Sequence, residues 1–161
     1  LMSMGSTKSA LDIALSVQQW EDVIHCYHQL ELRHKAAEII RQELGKKETP
    51  LLWCMLGDAT DDLEHYFKAL ELSNNRSARA FRSLGMFHYY RKDYQKAVDY
   101  FQKSLEQNGY QLNILLRLGY AAMELQNWEI TASSYRRYCT YEPDVSSYMI
   151  LIIYKLFLFT K

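Results

Sequence analysis

The sequence predicts an all-α fold: an α-solenoid of antiparallel helix pairs with a degenerate N-terminal part. Two observations predict it. The first is an internal repeat, in which Phe81, Leu84-Gly85, Tyr94 and Phe101 recur as Leu115, Leu118-Gly119, Trp128 and Tyr135, each 34 residues later. A period of that length, carrying a large apolar residue, Leu-Gly and two aromatics, marks a stacked helix-turn-helix unit. The glycines let a partner helix approach closely, and the aromatics fill the space between neighbouring helices. The second is composition. The chain has 161 residues and 48% hydrophobic content, but only two prolines and six glycines. That balance suits packed helices and excludes disorder as the main state.

The elements follow in chain order. Residues 1–49 read as degenerate helical repeats: a helix over 9–17, a second carrying Trp20, Val23, Ile24 and Tyr27, and a third over 34–44 with Ala36, Ala37, Ile40 and Leu44 on one face. Residues 50–77 read as a shortened repeat. Pro50 is a good first helical residue behind a Thr49 cap, and Trp53, Leu56 and Gly57 stand in the same relation as Phe81, Leu84 and Gly85. Gly57 and Gly85 are only 28 residues apart, so six residues are missing, and Asp58-Ala59-Thr60-Asp61-Asp62 is where they are expected. A second helix over 63–73 completes this unit, with Tyr66, Phe67, Ala69 and Leu70 inward.

Residues 78–111 and 112–145 read as full repeats. The first has a helix over about 76–90, a turn at Arg91-Lys92-Asp93, and a helix over about 94–107 with Ala97, Val98, Phe101 and Leu105 inward. Asn108-Gly109 is expected to stop it through the left-handed backbone both residues tolerate. The second carries Leu115, Leu118 and Gly119 in front and Trp128, Ala132, Tyr135 and Cys139 behind, with Pro143 as its stop. Residues 146–161 read as an atypical apolar tail. Ile152-Ile153 stands where Leu-Gly is due, and only Lys155 is charged between 148 and 159. The run is short for a membrane span and lacks the polar outer face of a capping helix. It reads as a replacement of the natural continuation after Asp144, with a truncated but genuine helix as the alternative and a tail anchor as a third. A start at Leu1, with a repeat already under way, reads as a piece of a longer protein, and no signal peptide is visible.

Nineteen basic residues balance nineteen acidic ones, so no single-sign field is present to favour nucleic acid or a membrane surface. Membrane contact is expected only if the apolar tail is a native anchor. Cys26, Cys54 and Cys139 are odd in number and widely spaced, which fits reduced thiols packed as small hydrophobes. His25 and His28 share a helix face, but a metal site needs further ligands, and helix histidines in solvent are the preferred reading. Asp58, Asp61 and Asp62 lack the spacing of a calcium loop and read as capping carboxylates. Gly5-Ser6-Thr7-Lys8 matches no phosphate loop. No enzyme, catalytic residue, metal, cofactor or small-molecule substrate is expected.

Stacks of this kind bind through a concave groove lined by the first helix of each unit. Counted from Ala78, its second, fifth, ninth and twelfth positions are Arg79, Arg82, Met86 and Tyr89; counted from Leu112 they are Asn113, Leu116, Tyr120 and Met123. Aromatic residues and Met supply apolar contact while arginine fixes an acidic group. The expected function is a protein-binding scaffold or adaptor taking a peptide or partner in that groove. Two alternatives stand beside it. Thirteen tyrosines and the Arg76, Arg79, Arg82, Arg91, Lys92 stripe allow an RNA-contacting repeat, although Tyr66, Tyr94 and Tyr135 are assigned to the core. A structural spacer with no ligand of its own is the other.

The two full repeats resemble tetratricopeptide repeats over about 78–145. A longer similarity, to the middle of one large member of that family, covers most of 6–144. It rests on Trp20-Glu21-Asp22-Val23-Ile24, on the run from Ala36 to Leu44, on Lys46-Lys47-Glu48-Thr49-Pro50, on Leu56-Gly57-Asp58 and on Arg76-Ser77-Ala78-Arg79-Ala80, including the shortened repeat before the last of these. The resemblance implies a non-enzymatic adaptor of the cytoplasm or nucleus, acting in chaperone-assisted assembly of large complexes. Members that clamp acidic chaperone C-termini carry basic and asparagine residues at the fifth and ninth groove positions. Here those positions hold Arg82 and Met86, Leu116 and Tyr120, Cys54 and Asp58. Only Arg82 suits, so clamp-type binding is not expected. A further departure is the tail, where another repeat is due.

Overall fold

The computed structural model describes residues 9–13, 20–30 and 32–142, and leaves undescribed the side chains of Trp20, Glu21, His25, His28 and Gln29. The expectations for residues 14–19, for the His25/His28 pair, for Pro143 and for the apolar tail lie outside the described residues. Every regular element among those described is a helix. After a helical stretch at 9–13 come α1 (Trp20–Gln29), α2 (Arg33–Lys46), α3 (Pro50–Thr60), α4 (Leu63–Leu72), α5 (Ala78–Tyr90), α6 (Tyr94–Gln107), α7 (Leu112–Glu124) and α8 (Trp128–Tyr141). They fall into two compact units divided after Asn75.

In the first unit α1 packs on α2, α2 on α3, and α3 on α4. Its core gathers Ile24, Ala36, Ala37, Ile40 and Leu56. Thr49 caps α3 as its side chain suggests, Oγ1 accepting from the Leu52 amide at 3.2 Å, with Pro50 at the first helical position. The three aspartates after Gly57 have three separate tasks. Asp58 accepts from the Tyr66 hydroxyl at 2.8 Å, Asp61 takes a left-handed backbone (φ 56°) that ends α3, and Asp62 caps α4 by accepting from the Glu64 amide.

The second unit pairs α5 with α6 and α7 with α8, and α7 packs on α6. Nine buried residues form its core: Ala97, Val98, Phe101, Leu105, Ile114, Leu115, Leu118, Ala121 and Ala122. The helices α5 and α7 also touch each other directly, which makes them the inner layer of this unit. Ser77, Asp93 and Asn127 cap α5, α6 and α8, three of the small polar residues that accept best from the free amides of a first turn.

The repeated glycines have the task their spacing implies. A Cβ on Gly57 would stand 2.6 Å from the Tyr66 ring, and one on Gly119 2.8 Å from Tyr135; on Gly85 it would run into Phe101. Each hairpin thus seats an aromatic of its second helix against a bare backbone in its first. In the shortened repeat this pairing survives with the hairpin tip cut back. From Gly57 to the end of α3 is three residues, against five from Gly85 to the end of α5; from the start of α4 to Tyr66 is three, against seven from Tyr94 to Phe101. At the other end each first helix still begins seven residues before its glycine.

The shortening falls at the hairpin tip, where it is expected, and residues 58–60 are the last turn of α3. Two expectations are corrected: Phe67, expected inward on α4, is 47% exposed, and the end of α6 takes another form. The helix α6 does not end in a left-handed Asn108-Gly109: Asn108 is extended (φ −140°), and no described glycine has positive φ. Gln111 instead reaches back, its amide Nε2 donating to the carbonyls of Ser104 (3.1 Å) and Asn108 (2.8 Å); the Ser104 carbonyl also accepts from the Asn108 amide at 3.0 Å, so Gln111 is its second donor. The left-handed positions fall at hairpin tips, on Asp61, Lys92 and Gln126, and at Asn74 and Asn75 after α4. At Lys92 and Gln126 the next residue's amide closes back on His88 and Ala122, the bond pattern of a Schellman helix end.

Candidate functional site

The inner layer of the second unit carries all eight groove residues expected from sequence. Arg82, Asn113 and Tyr120 are exposed; Arg79, Met86, Tyr89, Leu116 and Met123 are half-buried. Met86 and Tyr89 lean on the core of the unit, so their groove-facing surface is only part of each side chain.

The structure draws the tyrosines together. Tyr89 of α5 meets Tyr120 of α7 edge to face, with centroids 6.0 Å apart. Tyr94, at the first turn of α6, completes a triangle, 5.9 Å from Tyr89 and 6.1 Å from Tyr120. Such tilted contacts set the positive rim of one ring against the negative face of another. Tyr94 therefore belongs to this cluster as well as to the hairpin packing assigned to it from sequence. The Tyr120 hydroxyl donates to the Glu124 carboxylate, which pushes its pKa up to about 12. Burial raises that of Tyr89, and the nearby Arg117 cation works against the rise.

Arg117 was not among the groove residues expected from sequence. Its guanidinium lies 5.8 Å from the Tyr89 ring, and its Nε is buried without a hydrogen-bond partner. Three residues separate it from Tyr120, the spacing that puts two side chains on one helix face, and that was the available signal. Arg82 lies seven residues before Tyr89, roughly 10 Å along the axis of α5. The inner layer thus has an arginine half, where α5 and α7 begin, and a tyrosine half, where they end. Glu124, already holding the Tyr120 hydroxyl, is the acidic residue of α5 and α7. The amino-terminal ends of both helices add partial positive charge to the arginine half.

Comparison with known proteins agrees with this architecture. The tetratricopeptide repeat family model matches residues 78–109. The tetratricopeptide repeat-containing protein trd-1 of Caenorhabditis elegans is 38% identical over 145 residues, covering 89% of this chain and 19% of that protein. A tetratricopeptide repeat protein 27 homolog of Dictyostelium discoideum is 34% identical over 125 residues, covering 78% of this chain and 15% of that protein. The chain thus spans less than a fifth of the length of these curated relatives. Among solved structures, MamA superposes with a TM-score of 0.64 at 13% identity, over 90% of this chain and 94% of that one. YrrB, described as a TPR protein with an unusual peptide-binding site, superposes at 0.60 with 21% identity, over 96% and 87%. These likenesses are of fold. Repeat period, glycine–aromatic hairpins, family match and relatives converge: this chain belongs to the tetratricopeptide repeat family.

Proposed function

We propose that this chain is a non-enzymatic interaction scaffold whose second unit binds an extended peptide across the inner faces of α5 and α7. The observation that carries this reading is the polarity of that layer, with Arg79 and Arg82 at one end and Tyr89, Tyr94 and Tyr120 at the other. A peptide suited to it bears a carboxylate at one end and an apolar or aromatic side chain two to three residues away. Arginine and helix amino termini favour the first, and tyrosine supplies rigid contact area to the second. The family likeness supports protein binding; an adaptor role in chaperone-assisted assembly of large complexes, in the cytoplasm or nucleus, is part of this proposal. The three rings pack against one another rather than standing apart for stacking bases, which favours peptide over RNA.

The test is crosslinking mass spectrometry in cell extract with the chain and with an Arg82→Glu/Tyr120→Ala variant of matched helical circular dichroism. Loss of a crosslinked protein partner at α5 and α7 is the expected result. Partners unchanged in identity and crosslink position would make this layer a spacer. A partner lost steeply with added salt and identified as RNA would replace the peptide reading.

A further inference from the structure

We propose a second binding site on the opposite face of the same unit: the cleft between α6 and α8 takes an apolar side chain carried on a basic peptide segment. The cleft has a simple origin. Both α6 and α8 pack on α7, so they flank it and leave a narrow gap between them over its outer side. On that side Leu115 and Leu118 line the cleft together with Leu105 of α6 and Ile130 of α8. The space is about 360 Å³, within the range of pockets that enclose small ligand groups. Leu105, Leu115 and Leu118 are almost wholly buried, which makes them a floor at the bottom of the cleft rather than an exposed patch.

The rim decides what enters. Glu106 contributes a carboxylate from α6 and Glu129 one from α8. Both residues are exposed, and neither forms an ion pair among the described residues. Arg137 is the cation at the rim, and its guanidinium is already engaged with the Gly109 carbonyl at 2.9 Å. An entering ligand therefore meets two carboxylates and one guanidinium, the latter drawn toward the Gly109 carbonyl, above an apolar floor, so the rim carries a net negative charge. A leucine-type side chain would bury apolar surface on the floor, and flanking lysine or arginine would meet Glu106 and Glu129. Charge of this kind gives selection and encounter rate, while the apolar anchor supplies affinity.

The probes are three synthetic peptides, acetyl-RLRLR-amide, acetyl-RARAR-amide and acetyl-ELELE-amide, titrated into the isotope-labelled chain and followed through backbone amide shifts. The leucine–arginine peptide is expected to move the amides of Glu106, Glu129, Ile130 and Ser133. Its affinity should exceed that of the alanine peptide by about tenfold, a difference of ~1.4 kcal/mol. An E106K/E129K variant, with circular dichroism unchanged, should lose the response. The Arg82→Glu/Tyr120→Ala variant should keep it, which separates this site from the inner one. Equal binding of the alanine peptide, a response to the glutamate peptide, shifts centred on Arg82 and Tyr120, or no shift in the cleft would each overturn the proposal.

Discussion

Replacing Ser104 by alanine is expected to destabilise the second unit by about 2–3 kcal/mol, far more than a serine on a helix surface would cost. Ser104 is fully buried. Its hydroxyl donates to the Ala78 carbonyl at 2.8 Å, tying α6 to the start of α5. The same oxygen accepts from Gln111 Nε2 at 3.0 Å. Alanine removes both bonds, each worth about 1 kcal/mol net, and leaves polar partners short of a hydrogen bond in a dry site. Gln111→Met removes the amide that serves the Ser104 hydroxyl and the carbonyls of Ser104 and Asn108, and should cost a similar amount. One bond is common to both changes, so the double variant should fall short of the sum by about 1 kcal/mol. Repeat stacks need not unfold as one step, so the probe must be local. Trp128 is the one tryptophan of the second unit, and its fluorescence through a urea titration in a Trp20→Phe/Trp53→Phe background reports that unit. Single-variant losses under about 0.5 kcal/mol, or strict additivity, would refute the idea that this pair fastens the repeat.

Two further outcomes test the packing and the tyrosine cluster. Gly85→Ala should lower the melting temperature, at a cost of about 1–3 kcal/mol from overpacking against Phe101; Gly45→Ala, with no atom within 4 Å of the new methyl, should raise it slightly through helix propensity. Identical effects at the two sites would dismiss the close-approach argument. The Tyr120 pKa is pushed up to about 12 from an ordinary 10.0, because its hydroxyl donates a hydrogen bond to the Glu124 carboxylate, whose charge also opposes ionisation. The contribution of Tyr120 is therefore fully present below pH 10 and fades as the pH rises toward 12. In a tyrosinate absorbance titration, Tyr120→Phe should remove a component with a midpoint near 12, and removal of one near 10 would contradict the Glu124 contact.

The parts of this fold that repeat were the parts legible in sequence. Two aromatic–glycine pairs announce themselves by their 34-residue spacing, and α6 spans the residues expected of it. The helix α5 begins two residues later than expected because Ser77 accepts from the Ala80 amide, a cap its identity advertised. Gln111 was harder to see. It follows Asn-Gly-Tyr in what reads as a solvated loop, and only the folded chain shows its side chain turned back under α6. Lys92 and Gln126 were illegible for a different reason: neither is a residue type that marks a left-handed turn, although they stand one period apart. In the inner layer, sequence named Tyr89 and Tyr120 as groove residues, but the ring triangle that joins them depends on Tyr94 arriving from another helix. Arg117 was passed over because its place in the repeat points between the groove and the core.

The trimmed hairpin of the first unit bears on how such chains change length. Its losses come from the tip alone, about 3 Å from one helix and about 6 Å from the other at 1.5 Å per residue, and average near one helical turn. The glycine seat and the helix starts keep their register, so everything below the tip is indifferent to the cut. A hairpin of this design behaves like a zip fastener with a movable stop: teeth can be removed at the open end without disturbing those already engaged. Length at the tip is therefore a variable that selection, or a protein engineer, can adjust turn by turn, provided that a left-handed residue such as Asp61 and a capping residue such as Asp62 are supplied at the new end. Removal of the same number of residues between Pro50 and Gly57 would instead pull the glycine out from under Tyr66.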